Sequence, residues 1–248
     1  MKKANKKVNA AIIIIGNEIL SGRTQDVNVV AISNWLNELG VKLEEVRIIS
    51  DIEDSIVKTI NDVRKNFNYV FTTGGIGPTH DDITSKSIAK AFNISYGYHK
   101  EAYEILKRYY GKSEFNEGRK KMAMLPDKAS LILNPSSGAP GFIVDNVYCL
   151  PGVPSILKSM LGGLNSKING GKKILSKTMN LKTVESEIAE PLERVQNKFK
   201  DIEIGSYPFF RKGKIGVSIV IRSTEERLIS ICYKDIKNFI KKKKIEII

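Results

Sequence analysis

The first half of the chain alternates short apolar runs with segments of helical periodicity. Residues 8–15, VNAAIIII, are continuously apolar without polar alternation. This pattern is typical of a strand covered on both faces, as in a parallel sheet. Residues 26–40 then repeat apolar positions at helical spacing between Asp26, a candidate N-cap, and Gly40, a candidate helix stop. The pattern predicts a strand followed by a helix.

The same alternation repeats before the first unusual loop. Residues 41–50 predict a second strand, and residues 69–73 predict a third. Between them, residues 50–67 predict a helix that opens with a capping box of Ser50 and Glu53. Because such repeats require right-handed crossovers, we predict an α/β fold with a mostly parallel sheet and helices on both faces.

The remaining elements divide the chain into two predicted domains. Helices are predicted at 84–92, 99–110, about 115–124 and 153–164, a strand at 129–135, and a hairpin at 141–152 turning at Asp145 and Asn146. The polar, glycine-containing stretch 165–171 marks a boundary. We therefore predict one domain over 1–164 and a small α+β domain over 171–248, with an antiparallel hairpin across 210–214.

The charge of the chain is strongly basic but not concentrated. The 248 residues contain 40 Lys and Arg against 27 Asp and Glu, a formal net charge of +13. Apart from lysine-rich segments near both ends, the cations are scattered and are not interleaved with stacking aromatics. We therefore expect no nucleic-acid partner.

The cysteines and the hydropathy of the chain indicate the cellular compartment of the protein. The chain has two cysteines, far apart and without CxxC spacing, which predicts buried thiols rather than a bridge or metal site. The N-terminal apolar run ends without a small-residue cleavage site, and no run approaches the roughly 20 apolar residues of a membrane span. We expect a cytoplasmic protein without membrane contact.

Three loops follow predicted parallel strands, where α/β sheets bind ligands. They span residues 16–28, 72–84 and 150–155. In the second, TTGGIGPTHDDIT, the glycines would let main-chain N–H groups approach an anion, and the start of the next helix would add its positive end. This loop is a candidate phosphate cradle.

Carboxylates stand beside this cradle. Asp81 and Asp82 would repel phosphate oxygens unless a divalent cation lay between them. Both, together with Glu18, are therefore candidate Mg²⁺ ligands or water-positioning groups. The alternative is that Asp82 only caps the following helix and the glycines only form a tight turn. His80 is a candidate base or a surface turn residue, and we expect a structural role for His99.

Known motifs of several enzyme classes are missing from the sequence. It contains no GxxxxGK[ST], GxGxxG, HExxH or GxSxG pattern. These absences argue against a P-loop nucleoside triphosphatase, a dinucleotide-binding Rossmann turn, a zincin and an α/β-hydrolase.

Four segments together resemble a known family. IIIIGNEILSGRTQDVN, TTGGIGPTHDDITSKSIAKAF, LNPSSGAPGF and LPGVPSIL resemble the molybdopterin-binding (MoaB/Mog-like) domain, in the form found in competence/damage-inducible protein A (CinA) and at the N-terminus of eukaryotic FAD synthases. Residues 8–163 carry this resemblance, and ESEIAEPLERV and IEIGSYPFF resemble the small domain that follows it. Asn17 stands where the family usually has threonine, and SSGAPG departs from the commoner VGTAPG.

The resemblance implies a three-layer α/β/α domain with a pocket for a pterin or a nucleotide diphosphate. The implied ligand-binding residues are Gly16, Glu18, Gly22, Asn28, Thr73, Gly74, Gly75, Gly77, Thr79, Thr84, Ser137, Gly138, Pro151, Gly152 and Pro154, and the motifs also include Pro78, Ala139, Pro140, Gly141 and Val153. Asp81 and Asp82 take the implied catalytic role, and with Glu18 the implied metal-binding role.

Several functions are consistent with the resemblance. The first hypothesis is a metal-dependent pyrophosphatase acting on ADP-ribose, FAD or a similar nucleotide diphosphate. The alternatives are adenylyl transfer to molybdopterin and non-catalytic binding of molybdopterin or an adenine nucleotide. The resemblance does not reach the amidohydrolase domain of longer family members, so we do not expect nicotinamide mononucleotide deamidation. We expect a homo-oligomer, a dimer or trimer, acting on a small molecule.

Overall fold

The computed structural model describes residues 8–211 and 213–248. The chain separates into two compact units, the first ending at Gly171 and the second spanning Lys172–Ile248. In the described residues, no helix is long and apolar enough to cross a membrane.

The first unit contains the sheet that positions the site. Its described strands are β1 (Asn9–Ile15), β2 (Lys42–Ile49), β3 (Tyr69–Thr73), β4 (Tyr96–Tyr98), β5 (Met124–Pro126), β6 (Ser130–Ile132), β7 (Gly141–Val144) and β8 (Val147–Leu150). Six of them form one sheet in the order β2-β1-β3-β8-β7-β6. The first four strands of this order are parallel, whereas β7 pairs antiparallel with β8 on one side and with β6 on the other. The predicted mostly parallel α/β sheet is confirmed.

Helices connect the strands. In the described part of this unit they are α1 (Asn17–Leu20), α2 (Asn28–Glu38), α3 (Glu53–Val63), α4 (Thr84–Phe92), α5 (Lys100–Glu114), α6 (Glu117–Lys121) and α7 (Pro154–Leu161). A 3₁₀ helix at Gly162–Lys167 follows α7, and Ile168 is buried in the core of this unit.

The apolar run of β1 explains the central position of this strand. Ala11, Ile13 and Ile15 belong to one hydrophobic cluster, and Ala10, Ile12 and Ile14 belong to a second one. Because successive side chains of a strand point to opposite faces, β1 contributes to both cores and is covered on both sides. The absence of polar alternation in the sequence is therefore a direct consequence of two-sided burial.

The two helix-start predictions were wrong in detail. Ile52 occupies the N-cap of α3 without a side-chain cap bond, so Ser50 and Glu53 form no capping box. Glu53 instead pairs with Lys86 at 3.2 Å and Lys90 at 2.6 Å on α4. The Glu53 carboxylate therefore forms tertiary ion pairs with α4 instead of a local hydrogen bond at the start of its own helix.

The start of α2 also differs from the prediction. Val27 occupies the N-cap position, although the Asp26 carboxylate does accept a hydrogen bond from the Val29 N–H at 2.9 Å. At the other end Gly40 has a φ of +69°. The Val41 N–H bonds the Leu36 carbonyl at 2.9 Å, which closes the helix as expected for a glycine stop.

The connection between α4 and β6 is more structured than the sequence pattern predicted. β4 and β5 pair as a small antiparallel sheet that the pattern did not reveal. The predicted helix at 115–124 is reduced to α6, because Met124 begins β5. Gly111 interrupts α5 with a φ of 70° and a ψ of 170°.

The second unit is a three-stranded antiparallel sheet with two helices. Its described elements are β9 (Leu175–Leu181), α8 (Glu185–Lys198), β10 (Glu203–Arg211), β11 (Lys214–Ser223) and α9 (Glu226–Lys242). β10 and β11 pair antiparallel, as predicted, while Lys212 in the predicted turn lies outside the described residues. A separate hydrophobic cluster stabilises this unit.

Both cysteines are free and buried, which confirms the prediction. Burial raises the pKa of the Cys149 thiol to about 12, so this thiol is protonated at neutral pH and unreactive.

Phe71 gives a test of the central core. Its fully buried ring lies between Trp35 and Tyr148, with centroid distances of 5.7 Å and 5.1 Å. We expect Phe71→Ala to lower the free energy of unfolding of this unit by about 3–5 kcal/mol, because it opens a cavity in a rigid sheet. Denaturant unfolding followed by Trp35 fluorescence measures this. Val30→Ala, at a side chain 62% exposed, is the control and should change stability by less than about 0.5 kcal/mol. A loss below about 1 kcal/mol for Phe71→Ala would contradict the position of Phe71 in a tightly packed core.

Candidate ligand-binding site

A pocket lies where the loops following the parallel strands converge. Its volume is about 640 Å³, in the usual range for small-molecule sites. The lining residues come from the loops after β1, β2, β3 and β8, from the loop before β7, and from α5 and α6. The sheet therefore places the three predicted loops at one edge, together with a fourth that follows β2.

The glycine loop after β3 presents main-chain donors to this pocket. Gly74 and Gly75 have φ values of +99° and +69°. In the described part of the chain, the N–H groups of Gly75, Ile76 and Gly77 donate to no protein acceptor. All three residues line the pocket. Consecutive unpaired amides of this kind form a site for an anion.

Thr84 holds the loop in this shape. Its hydroxyl donates to the Gly74 carbonyl at 3.0 Å, and its N–H donates to the Gly75 carbonyl at 2.9 Å. Thr84 is fully buried at the start of α4, so the positive end of this nine-residue helix is fixed beside the loop.

The glycines of this loop have no room for a side chain. A Cβ at Gly74 would lie 2.2 Å from the Ile15 carbonyl oxygen, and a Cβ at Gly75 would lie 2.2 Å from Thr84 Oγ1. A Cβ at Gly77 would lie 2.7 Å from Asp82 Oδ2. At Gly74 the obstacle is main chain, so packing requires glycine there independently of any ligand. At Gly75 and Gly77 a Cβ would displace side-chain oxygens that hold the loop.

The two aspartates differ in their surroundings. Asp82 Oδ2 accepts hydrogen bonds from the Thr79 N–H at 2.8 Å and from the Thr79 hydroxyl at 2.5 Å. Ile83, without a side-chain cap bond, occupies the N-cap of α4, so the interpretation of Asp82 as the helix cap is wrong. Asp82 closes the turn of the loop instead.

Asp81 is exposed and lines the pocket. The pKa of its carboxyl is lowered by the nearby Thr79 hydroxyl, then by its own main-chain amide and by the charges of His80 and Lys121. The carboxylate is therefore ionised at neutral pH and accessible to a ligand or cation.

Asn28 connects two of the predicted loops. Its Nδ2 donates to the Gly152 carbonyl at 2.8 Å, which fixes the loop after β8 against the start of α2. Its Oδ1 is buried without a partner in the described residues.

Asn134 organises the loop before β7. Its side chain accepts from the N–H groups of Ser136 and Ser137 at 2.9 Å and 3.1 Å, and donates to the Ala139 carbonyl at 2.8 Å. It also lines the pocket, so one side chain both shapes the loop and contributes to the wall.

The pocket contains most, but not all, of the predicted site residues. Those that line it are Gly16, Glu18, Gly74, Gly75, Gly77, Asp81, Asp82, Ser137, Pro151, Gly152 and Pro154. The others lie in or beside the loops without lining the pocket: Gly22, Asn28, Thr73, Thr79, Thr84 and Gly138. Asn28, Thr79 and Thr84 support the loops through the hydrogen bonds described above.

The two histidines lie outside the pocket lining. His80 is exposed in the glycine loop. His99 Nδ1 accepts from the Ala102 N–H at 3.3 Å as the cap of α5, which agrees with the structural role predicted for it.

Asp51, Asn134, Tyr110 and Arg119 line the pocket but were missed in the sequence. Asp51 follows β2, and its Oδ1 is buried without a partner in the described part of the chain. The rule that identified the other loops, attention to residues just after a parallel strand, would have found Asp51. No local signal pointed to Tyr110 or Arg119, which belong to helices inserted between β4 and β5.

The described residues contain no group of three or more His, Cys, Asp and Glu side chains arranged to hold a metal ion. Asp81, Asp82 and Glu18 all line the pocket, and their binding of a metal ion stays a prediction. An ion at Asp81 would need ligand oxygens or water to complete its shell, which suits Mg²⁺, since Mg²⁺ usually combines one or two carboxylates with substrate phosphates.

Alanine substitutions at three glycines distinguish the cost of a steric clash from the cost of a positive φ. Gly22 has a φ of +72° but nothing within 4 Å of its Cβ position, whereas a Cβ at Gly152 would meet Gly74 Cα at an ordinary 3.5 Å. We expect Gly152→Ala to leave stability within about 0.5 kcal/mol of wild type. Gly22→Ala should cost about 1–2 kcal/mol from φ alone. Gly75→Ala should cost more than Gly22→Ala, because it adds the clash with Thr84.

Chemical denaturation of the three variants measures this order. If Gly75→Ala were no more destabilising than Gly22→Ala, the loop would not be held as tightly as its contacts indicate.

Comparison with known proteins agrees with this geometry. Residues 11–168 match the model of the probable molybdopterin binding domain, and residues 173–247 match that of the FAD synthase middle domain. A protein from Archaeoglobus fulgidus is 33% identical over 197 residues, 79% of this chain and 84% of that protein. A CinA-like protein from Prochlorococcus marinus is 29% identical over 94% of this chain, which spans 57% of that protein's length.

A solved structure adds a three-dimensional match. The crystal structure of the protein CinA, of unknown function, from Thermoplasma acidophilum has a TM-score of 0.61 and 32% identity, and the match covers 66% of this chain and 99% of that one. The sheet order, the glycine loop and these matches agree, and the chain belongs to the molybdopterin-binding (MoaB/Mog-like) domain family in its CinA-like form.

Proposed function

We propose that this protein binds a nucleotide with a diphosphate group, such as ADP-ribose or FAD, and hydrolyses its pyrophosphate bond with a divalent cation. The observation that carries the proposal is the row of unpaired N–H groups at Gly75, Ile76 and Gly77 in the pocket. Main-chain amides at a helix start bind phosphate oxygens without a positive side chain.

The carboxylates of the pocket support the requirement for a cation. Glu18, Asp51, Asp81 and Asp82 all line it, and they would repel a diphosphate. Asp81 is the best placed to meet a cation, because it is exposed and ionised, whereas Asp82 is engaged by Thr79. When bound, a divalent cation would neutralise phosphate charge and polarise the bond to be cleaved.

Asp51 supports recognition of the rest of the nucleotide. A buried carboxylate oxygen without a partner is costly unless a ligand donates to it. Ribose hydroxyls and the amino groups of a base or pterin are donors of the required kind. We propose that Asp51 accepts a hydrogen bond from such a group.

A second candidate function is adenylyl transfer to molybdopterin, or its binding without catalysis. The match of residues 11–168 to the probable molybdopterin binding domain favours it. A pterin that carries a phosphate would use the same glycine loop. The proposed ligand is in each case a small molecule and not a nucleic acid.

Substrate assays test the proposed hydrolysis. ADP-ribose, FAD and adenylylated molybdopterin should be incubated with the protein, with Mg²⁺ or EDTA, and the products separated by chromatography. We expect Mg²⁺-dependent release of AMP from ADP-ribose or FAD. A separate incubation with ATP and molybdopterin tests the second candidate, which predicts adenylylated molybdopterin and released pyrophosphate. No reaction with any substrate would contradict catalysis.

Asp81→Asn tests the role of the exposed carboxylate. We expect a loss of at least about 100-fold in turnover, equivalent to about 2.7 kcal/mol in the barrier, with unchanged stability. Asp127→Asn is the matched control, because Asp127 is exposed in the same unit but does not line the pocket. Turnover of Asp81→Asn within about threefold of wild type would contradict this role.

A further inference from the structure

The charges of the pocket are unbalanced for the proposed ligand. Four carboxylates line it, and within the described residues Arg119 is the one lining side chain with a positive charge. We propose that Arg119 recognises the diphosphate and makes the pocket specific for charged nucleotides over uncharged nucleosides. This inference rests on the proposed function, since it names the side chain that selects its substrate class.

Arg119 lies on a helix that packs directly against the glycine loop. A Cβ at Gly118 would lie 3.6 Å from the Pro78 carbonyl oxygen, in ordinary contact. Lys121 Nζ also donates to the Thr79 carbonyl oxygen. Both contacts place α6 beside the segment that follows the unpaired amides, so Arg119 faces the same pocket from another side.

The guanidinium of Arg119 is already oriented. It stacks over the Tyr110 ring at 4.1 Å from the centroid, and its Nη1 donates to the Glu114 carboxylate at 3.0 Å and to the Glu114 carbonyl. In the described part of the chain, both of its side-chain hydrogen bonds use Nη1. Nε and Nη2 therefore remain to donate to a ligand. A planar guanidinium held in one orientation suits two-point contact with phosphate oxygens.

The ion pair with Glu114 does not compete strongly with a ligand. The Glu114 side chain is 64% exposed, and exposed pairs contribute little because water screens them. A diphosphate inside the pocket is less solvated and has more charge than this single carboxylate. Arg119 can donate from Nε and Nη2 to the ligand while it keeps its stacking on Tyr110.

Lys120 offers a matched control on the same helix. It is the next residue along the chain, and its Nζ pairs with Glu117 at 2.6 Å. It does not line the pocket, although its side chain, at 29%, is about as exposed as that of Arg119, at 30%. Lys120→Ala therefore removes the same charge from the same helix without removing a pocket contact.

Isothermal titration calorimetry tests the inference through binding, with parallel titrations in EDTA and in Mg²⁺, because the pocket carboxylates disfavour a diphosphate when no cation is present. The ligands are ADP-ribose, inorganic pyrophosphate and adenosine, and the proteins are wild type, Arg119→Ala, Arg119→Lys and Lys120→Ala, each checked for folding by thermal melting. We expect Arg119→Ala to weaken ADP-ribose and pyrophosphate binding at least about 10-fold, as loss of a charge-assisted contact requires. Adenosine binding should stay within about twofold, Arg119→Lys should restore part of the affinity, and Lys120→Ala should match wild type.

Three results would overturn the inference. Equal ADP-ribose affinity of Arg119→Ala and wild type would show that Arg119 does not contact the diphosphate, and an equal loss for adenosine would show a structural role. If wild type bound neither diphosphate ligand, the inference and the proposed function would both fail. If wild type bound ADP-ribose through Arg119 but released no AMP with any cation, only the proposed catalysis would fail.

Discussion

The absence of space around the glycine loop is the constraint on which the site depends. The loop passes between the Ile15 carbonyl at the end of β1 and the Thr84 side chain at the start of α4, and neither Gly74 nor Gly75 could carry a Cβ there. The chain can follow this path only with glycine at positive φ. The same path turns three successive N–H groups away from protein acceptors. The geometry that packing imposes thus also produces the unpaired N–H groups that we propose as the anion site.

The rigidity of the loop comes from the buried sheet. β1 and β3 are paired in register and buried in two hydrophobic clusters, so the ends from which the loops leave are fixed in relation to each other. Hydrogen bonds from Asn28 and Thr84 then hold the loops themselves. Because donors that are fixed before binding lose little entropy, this arrangement favours binding of an anion. Because carboxylates surround the fixed amides, a bound phosphate needs positive charge nearby, which a cation and Arg119 would supply.

The sequence predicted the parts of the fold whose signal is local and repeated. The unbroken isoleucine run of β1 and the helical spacing of α4 required only the chain's own periodicity. The capping box at Ser50 failed, because Glu53 pairs with lysines more than 30 residues away. β4 and β5 were missed for a related reason: each has three residues and is defined mainly by its partner.

The site was likewise predictable where its signal is local in the sequence. Its glycines and aspartates lie in one loop, and their spacing alone predicts a phosphate cradle. Asp51 could have been found from its position after β2, whereas Arg119 reaches the pocket only because α6 folds back onto Pro78. Such an approach depends on tertiary packing, which no local pattern encodes. Glu18 comes from another loop than Asp81 and Asp82, and the binding of a metal ion by these carboxylates stays a prediction.

The central claim is that main-chain N–H groups of the glycine loop hold the ligand's phosphates. The most direct measurement is a ¹H–¹⁵N correlation NMR titration of the labelled protein with ADP-ribose. We expect the amide signals of Gly75, Ile76 and Gly77 to shift most and to saturate together, with small changes in the second unit. Saturable binding of ADP-ribose that leaves these three amide signals in place would contradict it.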